Sequence, residues 1–148
     1  MLKRFRTLAA VSAAVLTPIL LAPAATADSQ SQEVGTQDYW GSCSSGGYTN
    51  DAGARCTTLS NGILYVRSSS PGTGITVQYD KQGGSSFQGR LGYERSSSNV
   101  YEPYRTMTAT GTGLYSNQWS VSASCAPVIG KLNVSGGTTY STPPRTPC

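Results

Sequence analysis

Two short stretches of this chain carry side chains suited to gripping another molecule. Tyr65 and Arg67 stand two residues apart, as do Tyr93 and Arg95. Each pair leads into serines: Tyr65-Val66-Arg67-Ser68-Ser69-Ser70 and Tyr93-Glu94-Arg95-Ser96-Ser97-Ser98. Residues i and i+2 of a strand share a face, so each pair would set a phenol ring beside a guanidinium. That chemistry is recognition: the rings supply apolar area, and the hydroxyls and forked N–H donors supply direction. Tyr101 and Tyr104 follow the second stretch and Trp40 precedes the first cysteine, which completes the set of candidate contact residues. The plainer reading is that a small β-protein covers its core with Tyr and lets the hydroxyls reach water.

Catalytic chemistry finds little to work with. The chain has no histidine, which removes Ser-His-Asp and Cys-His nucleophile systems. A Ser-Lys dyad would need Lys81 or Lys131 buried beside a serine. Paired carboxylates for glycoside cleavage must stand about 5–9.5 Å apart, and the nearest candidates are Glu94, at a strand end, and Glu102, in the loop after it. Phosphate-cradling and nucleophile-elbow motifs are missing, and no cofactor is expected. A non-enzymatic protein is the expectation.

Four cysteines, Cys43, Cys56, Cys125 and Cys148, admit three disulfide pairings. Cys43 with Cys56 and Cys125 with Cys148 is expected, because sequence neighbours close the shorter loops. Zinc would want C-x-x-C spacing or histidines, and neither occurs, so no metal is expected.

An even cysteine count suits an exported protein, and the first 27 residues read as the leader that exports it. Lys3, Arg4 and Arg6 precede an apolar run over residues 9–22, and Ala25-Thr26-Ala27 is a cleavage pattern. The run falls short of the ~20 residues needed to span a bilayer. Three of the chain's 11 basic residues and none of its 7 acidic ones lie in this leader, leaving 8 against 7 in residues 28–148. A balance so close to neutral, with no basic cluster, argues against nucleic acid and anionic lipid as partners. Membrane insertion is not expected either, and the location is extracellular.

Residues 28–38 are a polar arm, with Gln32, Val34 and Gln37 as its candidate contacts. The arm is either a spacer or an extended peptide that adds to a partner's sheet or groove. Residues 39–148 form one domain, rich in Gly, Ser, Thr and Tyr and without helical periodicity. Strands are expected at 57–59, 63–67, 75–80, 87–94, 104–110, 118–125 and 128–134. Asn61-Gly62 is a two-residue turn signal, and residues 96–103 read as a loop. Leu64 and Val66 alternate with Ile63, Tyr65 and Arg67; Ile75, Val77 and Tyr79 share a face, as do Leu91, Tyr93 and Arg95. Trp119 should face the core. The tail from Tyr140, with Pro143, Pro144 and Pro147, should run extended over the surface and be pinned by Cys148. The expected fold is all-β: a small antiparallel β-sandwich, immunoglobulin-like or related, stapled by disulfides.

Three functional classes fit. A carbohydrate-binding module would stack sugars on Trp40, Tyr48, Tyr101 or Tyr115. A secreted hydrolase inhibitor would present the loop between Cys43 and Cys56. An interaction subunit would join other secreted proteins through the arm and a sheet edge. A cleavable leader, the arm Ser29-Gln30-Ser31-Gln32 and a four-cysteine β-domain resemble the small adaptor of the secreted umbrella toxin particles of filamentous soil bacteria. The resemblance implies a non-enzymatic protein that joins a lectin-bearing subunit to a large toxin chain.

Overall fold

The computed structural model describes residues 41–148, so the leader, the arm with Gln32, Val34 and Gln37, and Tyr39 and Trp40 lie outside the described residues. Nine strands follow in chain order: β1 (Ala54–Leu59), β2 (Gly62–Ser68), β3 (Gly74–Lys81), β4 (Phe87–Arg95), β5 (Ser98–Tyr101), β6 (Arg105–Met107), β7 (Leu114–Ser120), β8 (Val128–Val134) and β9 (Thr139–Ser141). The first sheet runs β1-β2-β3-β7 and the second β5-β4-β8-β9, with β6 sharing the β5 edge of β4. All pairings are antiparallel. The two sheets pack as a sandwich, and no helix occurs among the described residues.

Period-two alternation builds the core. Leu64 and Val66 of β2, Ile75, Val77 and Tyr79 of β3, Leu91 and Tyr93 of β4, Met107 of β6, and Val128 and Leu132 of β8 fill the space between the sheets. Each such side chain, removed from water, contributes about 1.5–3 kcal/mol before entropy is counted. Trp119 of β7 packs on this core and meets Tyr93 edge-on, with ring centroids 5.2 Å apart. Both expected disulfides form, Cys43–Cys56 and Cys125–Cys148.

A second small cluster lies on the other face of β2, where Ala54, Cys56, Ile63 and Tyr65 pack with Cys43. The Tyr65 hydroxyl donates to the Gly41 carbonyl at 2.7 Å. The stapled loop therefore lies down on the first sheet rather than standing out from it. At Gly47, which has φ +77°, a Cβ would sit 2.5 Å from Pro143, a contact that holds the loop against the C-terminal segment.

Several local expectations shift. Ser60 and Asn61 make the first hairpin turn, because Leu59 pairs with Gly62. Residues 98–101, expected as loop, form β5: Ser96 and Ser97 both take positive φ, 52° and 64°, and Arg95 pairs with Ser98. That is the backbone of a two-residue hairpin turn, normally written with Asn-Gly; serines hid it. The strand expected at 104–110 is limited to Arg105–Met107. The strand expected at 118–125 instead spans Leu114–Ser120. Beyond Ser120, the Val121 and Ser124 amides bond to loop carbonyls of Thr73 and Pro71. The tail does more than cross the surface. Thr139–Ser141 pairs with β8, the amides of Thr142 and Arg145 donate to Gly130 and Val128, and Pro147 is fully buried. The prolines occupy positions that the ladder does not need.

Candidate binding face of the second sheet

Because Leu91, Tyr93, Val128 and Leu132 turn inward, their neighbours must turn outward. Register then arranges the outer face in rows. Asn99 of β5, Glu94 of β4 and Ile129 of β8 form one; Tyr101, Gly92, Lys131 and Ser141 the next; Arg90, Asn133 and Thr139 the third. Glycine at position 92 is a requirement of this face. A Cβ there would come within 2.3 Å of Cδ1 of Tyr101, so the ring lies across β4 where a side chain would otherwise stand.

The centre of the face is Arg90. Its guanidinium carbon lies 4.5 Å from the Tyr101 ring centroid and 4.5 Å from that of Tyr104. Its Nε donates to Oδ1 of Asn133 at 3.0 Å. The Tyr104 hydroxyl donates to the same oxygen, and Nδ2 of Asn133 donates to Oγ1 of Thr139 at 2.8 Å. Two ring contacts and one hydrogen bond thus hold a side chain that would otherwise carry about 2 kcal/mol of rotamer entropy. Lys131 is neutralised by Glu94, Nζ to Oε2 2.7 Å. Among the described residues no carboxylate pairs with Arg90. Tyr104 remains 45% exposed.

The two Tyr-x-Arg stretches take a different place. Parity puts Leu64 and Val66 in the core of the first, so Tyr65 and Arg67 turn to the outer face of the first sheet. In the second, Tyr93 and Arg95 turn inward. Tyr65 and Tyr93 are 2% and 7% exposed, which withdraws both rings from any contact surface. The Arg67 Nε pairs with Asp51 at 2.9 Å. Arg95 donates through Nη1 to the carbonyls of Gly72 and Ser122, both at 3.1 Å. It ties the second sheet to two loops beyond the end of the first.

Of the sequence candidates, the structure brings together Tyr101 and Tyr104 and joins them to Arg90 and Asn133, which sequence reasoning passed over. A signal was available: both occupy polar positions in alternating strands, and Arg90 precedes a glycine two residues on. Among the other aromatics, Tyr48 is 58% exposed with Arg55 4.5 Å over its ring. Tyr115 is occupied by the Thr108 backbone, accepting from its amide at 2.6 Å and donating to its carbonyl at 3.0 Å.

The candidate catalytic groups each have a structural partner. Glu94 holds Lys131. Glu102 holds Arg105 at 2.9 Å and accepts the Leu91 amide. Lys81 is 1% exposed; its Nζ donates to the Gly83 carbonyl and lies 5.0 Å from the Phe87 ring centroid. Three clefts of about 280, 350 and 370 Å3 lie away from the Arg90 face, at the small end of ligand pockets, which run about 300–1,000 Å3. No family model matches the chain, and no curated protein or solved structure shows significant similarity to it.

Proposed function

We propose that this chain is a secreted, non-catalytic interaction module that docks a partner on the outer face of its second sheet. The observation that carries the reading is Arg90, fixed by Tyr101, Tyr104 and Asn133 on an open sheet face with no carboxylate of its own among the described residues. Tyr and Arg on rigid elements are the usual anchors of protein interfaces. Two disulfides support an oxidising, extracellular setting. The missing histidine and the prior engagement of Glu94, Glu102, Lys81 and Lys131 support a role without catalysis.

More specifically, we propose an adaptor that joins components of an extracellular antibacterial toxin complex. Its support is the layout of leader, Ser/Gln arm and four-cysteine β-domain. The test is affinity capture of the tagged protein from culture supernatant under mild conditions. Stoichiometric partners are expected for the native protein and fewer for Tyr104→Ala and for deletion of residues 28–38. Recovery of the tagged chain alone refutes the reading. A saccharide is the second reading, favoured by the exposed Tyr104 ring next to the polar groups of Asn133 and Thr139. It predicts retention on insoluble polysaccharide that Tyr104→Ala abolishes.

A further inference from the structure

We infer that Arg90 is the recognition anchor of this face and takes a carboxylate, an Asp or Glu side chain of a protein partner, end-on through its two Nη groups. This rests on the docking reading above and adds the chemistry of what docks.

A guanidinium has five N–H donors in a rigid fork. In Arg90 the Nε donor is spent on Asn133. Among the described residues no hydrogen bond or ion pair uses Nη1 or Nη2, which leaves the fork's end to a ligand. Two parallel N–H bonds from Nη1 and Nη2 match the two oxygens of a carboxylate. Lys131 and Glu94 cancel one another, so Arg90 is the single uncompensated charge in this set. A monoanion balances it, whereas a phosphate dianion would leave excess negative charge. Tyr101 and Tyr104 flank the guanidinium and would shield an incoming ion pair from water, the condition under which such a pair is strong. Holding the fork in place beforehand lowers the ordering cost of binding. The same Asn133 oxygen fixes Arg90 and Tyr104 together, so ring and fork present one surface.

The first experiment follows the arginine side-chain 15N resonances of the secreted protein. The titrants are the N-methylamide of N-acetylaspartate, its asparagine counterpart and glucuronate. We expect the aspartate probe to shift Arg90 and the rings of Tyr101 and Tyr104, the asparagine probe to leave them in place, and Arg90→Lys to abolish the response. No Arg90 shift, equal shifts from both amides, or a response to glucuronate at tenfold lower concentration would overturn the inference.

The second experiment compares partner capture by Arg90→Lys and Tyr104→Ala, each confirmed as folded by its amide spectrum. Loss of one desolvated charge partner is expected to weaken capture about 100-fold, and lysine, lacking the fork, should not restore it. If Tyr104→Ala loses the partner and Arg90→Lys keeps it, docking stands and the carboxylate inference falls. If neither variant loses it, the docking reading itself falls.

Discussion

Tyr101 of β5 occupies the space above Gly92 of β4: the two residues are direct cross-strand partners, and a Cβ on Gly92 would lie 2.3 Å from the ring's Cδ1. A glycine in mid-strand is normally a weakness. Here it lets an aromatic ring lie flat on the sheet and reach the guanidinium two residues away. Gly92→Ala is expected to cost about 1–3 kcal/mol by overpacking and to push Tyr101 off Arg90. Thermal denaturation checks the first effect, and loss of ring-current shifts on the Arg90 side-chain resonances checks the second.

The hairpin that carries Tyr101 turns on two serines with positive φ, a conformation that L-residues other than Asn and Asp rarely adopt. Replacing them as Ser96→Asn with Ser97→Gly should relieve that strain and raise stability by about 1 kcal/mol. The urea midpoint should rise with unchanged slope, and a fall in the midpoint would contradict the turn assignment.

The disulfides join cysteines 13 and 23 positions apart in sequence. Restricting the unfolded chain over such loops contributes about 3 kcal/mol each. Replacing Cys125 and Cys148 together by serine should lower stability by that amount and free the tail beside β8. Amide exchange at Thr142 and Arg145, whose bonds to Gly130 and Val128 hold the tail, should accelerate more than exchange in β3.

Burial, with Tyr140 and Asp80 adding to it, raises the ionisation of Tyr79 above its ordinary value near 10. Above that value the unfolded chain releases a proton that the folded state retains, so stability falls as pH rises toward Tyr79's own titration. Tyr79→Phe should lack this part of the alkaline decline. It should also lose about 1 kcal/mol at neutral pH, because the hydroxyl donates to the Asn61 carbonyl. Urea titrations at pH 8 and pH 11 separate the two effects.

Tyr93 and Trp119 join the sheets edge-on, at an interplanar angle of 68°. A double-mutant cycle through Tyr93→Leu and Trp119→Leu should give a coupling of about 1 kcal/mol beyond lost area. Additive effects would mean that the ring geometry contributes nothing of its own.

Legible in the amino-acid sequence were the all-β class, the neighbour pairing of cysteines as the expected one of three, and the alternation that groups Leu64 with Val66, Ile75 with Val77 and Tyr79, and Leu91 with Tyr93. Those properties depend on period-two alternation and on cysteine spacing, which are local. It also showed Tyr101 and Tyr104 as candidates, since aromatics amid turn residues stand out. Tertiary structure alone decided that the two similar Tyr-x-Arg stretches face opposite sides of their sheets. Tyr65 shares the face that a stapled loop covers, and Tyr93 shares the face that packs on Trp119, so neither ring can meet a partner. Burial depends on what lies on top, and alternation does not record that. Strand register likewise decided the Arg90 face. Tyr101 meets Gly92 only because two serines turn the chain within two residues, and Asn133 meets Arg90 only because β8 lies against β4 from a distant part of the chain. The site is made by cross-strand neighbours, and neighbours of that kind are set by packing the sheets together.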